Sequence, residues 1–121
     1  MTEIVCTLPL PPSSNVLWRN RHGSRKPYLN PKYRAWRHEC DAHMLANAPV
    51  GGWPRLTGLY SLEITLDRQQ WGRRDLGNAE KAISDYLQRI ELIEDDRKAE
   101  RIQIEFGQVS QGCRIRLRAA P

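Results

Sequence analysis

The stretch from residue 79 to residue 90 most strongly constrains how this chain can fold. At about 100° per residue, its apolar side chains fall within an arc of about 140°, as in an amphipathic helix with one buried face. Those side chains are Ala79, Ala82, Ile83, Tyr86, Leu87 and Ile90. Asn78, Lys81 and Asp85 fall together within about 60° on the margin of that face. The chain must therefore supply an apolar surface for this helix to cover, and three polar groups lie beside the contact.

Apolar patterns elsewhere predict four strands and one further helix. Strands are predicted at residues 3–8, 58–67, 102–106 and 115–117, where β-branched or alternating apolar residues occur. A helix is predicted from Pro31 to about Asn47, because Asn30 followed by Pro31 is a helix-start signal. The loop from Gly107 to Gly112 is suited to join the last two strands as a hairpin. The order β-α-β-α-β-β predicts one α+β domain over residues 1–121, with a four-stranded mixed or antiparallel sheet and two helices.

Length and composition exclude several classes of protein. A chain of 121 residues is enough for a single hydrophobic core without disulfides. No run of about 18 apolar residues occurs, so we expect no membrane span, and the N-terminus lacks the pattern of a signal peptide. The three cysteines are odd in number and widely spaced, which favours free, buried thiols in a reducing compartment. We therefore expect a soluble, cytoplasmic protein.

The net charge of +5 is unevenly distributed. Residues 1–40 hold seven Lys or Arg against two Glu, whereas residues 75–105 hold nine Asp or Glu against five Lys or Arg. A basic loop is predicted from Arg19 to Lys26, and fifteen of the nineteen basic residues are Arg, whose planar fork suits phosphate. A basic surface around an acidic patch is what a metal-dependent enzyme acting on a polyanion needs.

Common catalytic motifs are absent from the sequence. His38 and His43 are five residues apart, about 140° around a helix, and cannot share a metal as an i, i+4 pair does. There is no glycine-rich phosphate loop and no Gly-x-Ser-x-Gly turn. Nucleophilic serine or cysteine chemistry therefore has no support.

The carboxylates around the second helix form a more informative pattern. Asp75 comes just before that helix, and Glu94, Asp95 and Asp96 follow it. Three adjacent acids at a helix C-terminus repel one another, and a bound hard cation such as Mg²⁺ would relieve that repulsion. A solvated acidic turn is the alternative. Lys81 and Asp85 are likewise either a surface i, i+4 pair or a lysine and a carboxylate that act on a phosphate.

Three segments of this chain resemble the RusA-like Holliday-junction resolvases, also called crossover junction endodeoxyribonucleases. They are L-P-L-P-P-S-S-N with the following W-R-N-R, R-R-D-L-G-N-A-E-K-A-I-S-D from Arg73 to Asp85, and E-D-D from Glu94 to Asp96. The resemblance implies an α+β homodimer of bacterial or phage origin that uses Mg²⁺, with Mn²⁺ as an alternative. It also implies a function in DNA recombination and repair, in which paired symmetrical nicks resolve a four-way junction.

The resemblance assigns roles to particular residues. It implies that Asp75, Lys81 and Asp96 are catalytic, and that Asp75 and Asp96, with Asp95 beside the latter, bind the metal. The family pattern Asp-x-Asp-Asn reads D-L-G-N here, so Gly77 stands where the family has a metal-binding aspartate. We hypothesise that Asp85 completes the metal site. The alternative is a module that binds junctions or other nucleic acid but cuts them poorly.

The contacts to DNA are predicted from charge and from the position of the motifs. Residues predicted to contact DNA are Arg19, Arg21, Arg25, Lys26, Arg73, Arg74 and Asn78. Trp18, Tyr28 or Trp71 would stack on an unpaired base at the crossover, unless they are buried or interface aromatics. A third class of function is an interaction protein whose basic loop meets an acidic partner.

Overall fold

The structure is a computed structural model that describes residues 2–12 and 30–120, together with the backbone of residues 18–20 and 27–29. The strands are β1 (Glu3–Leu8), β2 (Trp18–Asn20), β3 (Pro27–Leu29), β4 (Tyr60–Leu66), β5 (Ala99–Phe106) and β6 (Cys113–Ala119). The helices are α1 (Pro31–Ala46), α2 (Arg68–Trp71) and α3 (Asn78–Arg89), and a 3-10 turn spans Asp96–Lys98. Both long predicted helices and all four predicted strands are present.

The main sheet has four strands in the order β1-β6-β4-β5. β4 and β5 are parallel, whereas β1 with β6 and β4 with β6 are antiparallel, so the sheet is mixed. This confirms the predicted α+β class and four-stranded sheet. β2 and β3 form a separate antiparallel pair, so the predicted loop beginning at Arg19 is wrong for residues 19 and 20.

The predicted hairpin between the last two strands is wrong, because β4 lies between β5 and β6. The loop 107–112 must cross the end of β4, a distance of about 10 Å. The Gly107 amide donates to the Leu66 carbonyl oxygen at 2.9 Å. Gly112 has φ +75°, and a Cβ there would lie 2.1 Å from the Leu8 carbonyl oxygen. The crossing therefore requires glycine at position 112.

The short helix α2, a third helix where two were predicted, braces this crossing loop. The Gln70 side-chain amide donates to the carbonyl oxygens of Val109 and Ser110 at 3.1 and 3.2 Å. Its Oε1 accepts from the Gly112 amide at 3.0 Å. Asp67 caps the helix by accepting from the Gln70 amide at 3.1 Å. A helix of one turn leaves no apolar periodicity in the sequence, which is why the sequence did not predict it.

The core lies between the two long helices and one face of the sheet. The alternate strand residues of that face are buried: Ile4, Cys6, Leu8, Tyr60, Leu62, Ile64, Leu66, Cys113, Ile115 and Leu117. α1 meets α3 where the Tyr33 hydroxyl donates to the Ala82 carbonyl oxygen at 3.2 Å and Trp36 packs edge-on against Tyr86. Cys6, Cys40 and Cys113 are free and buried, as predicted. Among the described residues, no helix has the length and apolarity needed to cross a bilayer.

Candidate active site

A turn before α3 fixes the backbone of Asp75. The indole Nε1 of Trp71 donates to the Asp75 carbonyl oxygen at 3.1 Å, and the Asn78 amide donates to the same oxygen at 3.0 Å. The Asp75 side chain is exposed, whereas Trp71 is 1% exposed. Of the two roles left open by the sequence, stacking on a base or burial, Trp71 has the second. Its side chain supports the turn that holds Asp75.

Gly77 stands at the N-cap of α3 with φ −66° and ψ −15°, a conformation open to any residue. Within the described residues, no side chain caps the helix at this point, and a Cβ at position 77 would meet no heavy atom within 4 Å. The described part of the chain therefore leaves open the space that an aspartate would occupy.

Backbone contacts fix the turn that follows α3, at residues 91–93. Glu91 has φ +64°, and the Leu92 amide then donates to the Leu87 carbonyl oxygen at 3.0 Å. Ile93 forms a β-bridge with Leu56. These contacts hold the acidic turn against the end of the helix.

Asp96 is positioned by α3 itself. Its amide donates to Gln88 Oε1 at 2.9 Å, which ties Asp96 to the last turn of the helix. The Asp96 side chain is half-buried. The acidic turn therefore places a carboxylate beside the polar margin of α3.

A cleft of about 460 Å³ lies at this margin. Its lining residues are Tyr33, Arg37, Lys81, Asp85, Gln88, Arg89 and Asp96. The structure thus brings Lys81, Asp85 and Asp96 together, three of the residues predicted to form the site. Asp75 and Asp95 are not among the residues that line the cleft.

Lys81 and Asp85 form an ion pair across one helical turn, with Lys81 Nζ 3.4 Å from Asp85 Oδ1. Their side chains are 57% and 28% exposed. Such a solvated pair contributes only about 0.3–0.5 kcal/mol to helix stability. Breaking this ion pair therefore costs little free energy, so Lys81 and Asp85 can each bind a ligand that enters the cleft.

Asp95 is engaged elsewhere. Its Oδ2 accepts from the Arg97 guanidinium at 2.8 Å, and its Oδ1 accepts from the Arg97 amide at 2.9 Å, which caps the 3-10 turn. These hydrogen bonds lower the pKa of the Asp95 carboxyl to about 2. A metal would have to compete with Arg97 for this carboxylate.

Tyr60 contributes an unusual buried hydroxyl near the acidic turn. Within the described part of the chain its hydroxyl oxygen has no hydrogen-bond partner, and the residue is 0% exposed. Burial raises the pKa of Tyr60 to about 12, and the carboxylates of Asp96, Glu80 and Asp95 add to that shift. The hydroxyl therefore stays protonated, within electrostatic reach of the site.

The carboxylates of the cleft suit one particular mode of metal binding. Across the described ranges, no group of three His, Cys, Asp or Glu side chains is placed to hold a metal ion. Asp85 and Asp96 do line one cleft. Mg²⁺ at phosphate sites commonly takes one or two carboxylates and completes its shell with water and substrate oxygens. The donor set fits that mode and does not form a closed protein cage.

Arg74, predicted to contact DNA, makes several contacts within the protein. Its guanidinium carbon lies 3.7 Å from the centroid of the Trp71 ring. Its Nε donates to the Trp71 carbonyl oxygen at 3.1 Å, and one terminal nitrogen donates to the Pro11 carbonyl oxygen at 3.0 Å. Burial lowers the pKa of this guanidinium. Arg74 therefore ties the proline segment to the turn that holds Asp75.

The other predicted DNA contacts are differently placed. Arg73 is exposed, and Asn78 is half-buried at the first position of α3. Arg21, Arg25 and Lys26 lie outside the described residues, as do the side chains of Arg19, Trp18 and Tyr28.

Sequence reasoning missed four lining residues of the cleft, namely Tyr33, Arg37, Gln88 and Arg89. A signal for Arg89 was present, because it follows Asp85 at i+4 and so extends the polar edge of α3. Arg37 lies on α1, and the packing of α1 against α3 could not be inferred from periodicity.

The fold and the cleft define a small α+β domain that gathers carboxylates and cations along one helix. Residues 9–118 match the family described as endodeoxyribonuclease RusA. The chain therefore belongs to the RusA family of junction-resolving endodeoxyribonucleases, which confirms the resemblance given by its motifs. A search of curated proteins found no match.

Proposed function

We propose that this chain is a Mg²⁺-dependent, structure-selective endonuclease that resolves four-way DNA junctions by paired symmetrical nicks, in recombination and repair. Mn²⁺ is the alternative metal. The observation that carries the proposal is the cleft at α3, where Lys81, Asp85 and Asp96 meet in a chain of the RusA family. Four-way junctions offer two symmetry-related strands, so we also propose a homodimer with one cleft per subunit.

Each residue of the cleft has a role in this proposal. Asp85 and Asp96 would hold the cation, and Asp75 or Asp95 would join them only after its side chain moves. The chemistry that Mg²⁺ would supply there is Lewis acidity, which would make the phosphodiester easier for water to attack. Lys81 gives up its weak pair with Asp85 and stabilises the negative charge that develops on the phosphate. Arg73 and the basic segment from Arg19 to Lys26 bind flanking phosphates in a salt-dependent manner.

The second candidate is a module that binds junctions or other nucleic acid and cuts them poorly. Gly77 favours it, because the family aspartate is missing at that position. The absence of any three-carboxylate metal group among the described residues favours it too. Both candidates bind branched DNA, but only the first cleaves it efficiently.

The test incubates a labelled four-way junction and a matched duplex with the protein, in Mg²⁺ and in EDTA. We expect metal-dependent paired nicks in the junction, lost in Asp96→Asn and reduced in Asp85→Asn. Glu105→Gln is the matched control, because Glu105 is an exposed acid on a strand outside the cleft. Full activity of Asp85→Asn would contradict its role as a metal ligand.

The same assay separates the candidates. Selective junction binding without nicks in Mg²⁺ would favour the module. Equal affinity for junction and duplex, without nicks in the junction, would contradict the endonuclease and favour a module that binds nucleic acid of any shape.

A further inference from the structure

Two arginines share the cleft with the proposed catalytic groups. Arg37 comes from α1 and Arg89 from the last turn of α3. Neither belongs to the family segments found in the sequence. Within the described residues, neither forms an ion pair with a carboxylate, although Asp85 and Asp96 line the same cleft. Neither guanidinium charge is therefore offset by a direct carboxylate partner, which suits a group that binds an anion.

Arg37 is held over a rigid aromatic group. Its guanidinium carbon lies 5.9 Å from the Tyr33 ring centroid, and Tyr33 is 2% exposed. The Tyr33 ring stacks on Trp36 at 5.3 Å between centroids, and its hydroxyl donates to the Ala82 carbonyl oxygen. Both helices thus fix the platform, which restricts the position of the Arg37 fork before any ligand binds.

Arg89 lines the same cleft as Tyr33 and acts on it electrostatically. Burial is the main cause of the raised pKa of Tyr33; Asp85 raises it further, whereas Arg89 lowers it. The charges of Asp85 and Arg89 are therefore both felt at one buried hydroxyl.

The cleft contains more positive than negative charge. Its three cations are Arg37, Lys81 and Arg89, and its two acids are Asp85 and Asp96. Lys81 is already paired with Asp85. The excess positive charge therefore lies on the two guanidinium groups. Each guanidinium is planar and can donate two parallel hydrogen bonds to one phosphate.

We propose that Arg37 and Arg89 form an anion subsite that binds a backbone phosphate next to the scissile one. This inference rests on the proposed function, because it takes DNA as the occupant of the cleft. The subsite fixes the register of the strand, so that the scissile phosphodiester lies at Asp85 and Asp96. The two arginines are positioning residues that contact the substrate without taking part in bond cleavage.

The test measures junction binding in EDTA as a function of salt, using Arg37→Gln, Arg89→Gln and the double variant. Arg114→Gln is the matched control, since Arg114 is an exposed arginine that does not line the cleft. Loss of one phosphate contact lowers affinity about 5-fold near 0.15 M salt and reduces the slope of log K against log salt by about 0.9. We expect each single variant to show that loss, and the control to stay within about 2-fold of the unaltered protein.

A nicking assay in Mg²⁺ with the same proteins distinguishes failure of the arginine subsite from failure of the proposed endonuclease activity. Nicks by the unaltered protein, with both arginine variants binding like Arg114→Gln, would overturn the subsite and leave the proposed function standing. Reduced salt slopes in both variants without nicks by any protein would support the subsite and overturn the endonuclease. Thermal melting checks that each variant is folded, because a melting temperature equal to the control's excludes unfolding as the cause.

Discussion

The two ends of α3 differ in how they prepare the site. At the C-terminal end, Asp96 lines the cleft, and its backbone is tied to Gln88. At the N-terminal end, the turn holds the Asp75 backbone equally well, but the Asp75 carboxylate does not line the cleft. Gly77 adds no side chain there.

A turn whose backbone is held by hydrogen bonds does not by itself complete a metal site, because its carboxylate must also reach the cleft. A neighbouring side chain fixes each turn: Trp71 donates to the Asp75 carbonyl oxygen at one end, and Gln88 accepts from the Asp96 amide at the other. Only one of them delivers a carboxylate to the cleft. The chemistry proposed for this chain therefore depends on the C-terminal end of α3, and the N-terminal end is where activity can be gained.

The largest expected effect separates the two acids of the C-terminal turn. Asp96→Asn should lower cleavage by at least about 100-fold, because it removes a cation ligand from the cleft. Asp95→Asn should lower it by less than about 10-fold, since that carboxylate is already engaged by Arg97. Single-turnover cleavage of a labelled junction measures both. Equal losses in the two variants would mean that Asp95 also binds the metal.

The next effect is a gain at the N-terminal end. Gly77→Asp restores the family pattern in open space and should raise Mg²⁺-dependent cleavage about 10-fold. It should also stabilise the fold by about 0.5–1 kcal/mol, because position 77 has a conformation that suits any residue. Titration of Mg²⁺ and thermal melting measure the two effects.

Gly77→Asn is the matched control for that gain, since it has the same shape without the charge. A similar gain in stability, with no gain in cleavage, is expected from Asn. If both variants leave cleavage unchanged, the site does not need a carboxylate at position 77.

A smaller effect concerns the anchor of the N-terminal turn. Arg74→Lys and Arg74→Ala should both destabilise the protein by about 1–3 kcal/mol, because lysine cannot keep the stacking on Trp71 and both hydrogen bonds. Arg73→Ala, an exposed neighbour, should change stability by less than about 0.5 kcal/mol. Denaturant unfolding measures these differences. Unaltered stability in Arg74→Ala would leave the guanidinium as a DNA contact only.

The smallest effect tests the buried hydroxyl near the C-terminal turn. Tyr60→Phe removes an oxygen that has no partner in the described structure, so we expect stability to rise by up to about 1 kcal/mol. Urea unfolding of the two proteins measures the change. Destabilisation by Tyr60→Phe would instead indicate that the hydroxyl donates a hydrogen bond in solution.

The sequence predicted the elements of this fold better than their arrangement. Residues 79–90 repeat at helical spacing and the strands alternate, so local patterns were enough to locate them. Alternation identifies the buried face of β6 and the apolar side of β5, whose residues are at most half-buried, but it does not identify the neighbours of a strand. The insertion of β4 between them depends on a crossing loop that is braced by Gln70, a contact between residues far apart in sequence.

The site was predictable to a similar extent. Lys81 and Asp85 share a helix edge, and their meeting with Asp96 follows from the short connection after α3. The contact of the Arg74 guanidinium with Pro11 was not predictable, because it joins residues 63 positions apart. Arg37 reaches the cleft only through the packing of α1 on α3.

The position of β1 at the edge of the sheet has a consequence for the order of folding. Its sole partner in the four-stranded sheet is β6, and the register joins Leu8 to Cys113. Such a distant pairing carries a large loop-closure entropy, whereas β4, α3 and β5 all lie within residues 60–106. We expect β4, α3 and β5 to form the folding nucleus and β1 to dock last. Substitutions in β1 should then mainly speed unfolding, which a comparison of Ile4→Val with Ile64→Val in refolding and unfolding kinetics would measure.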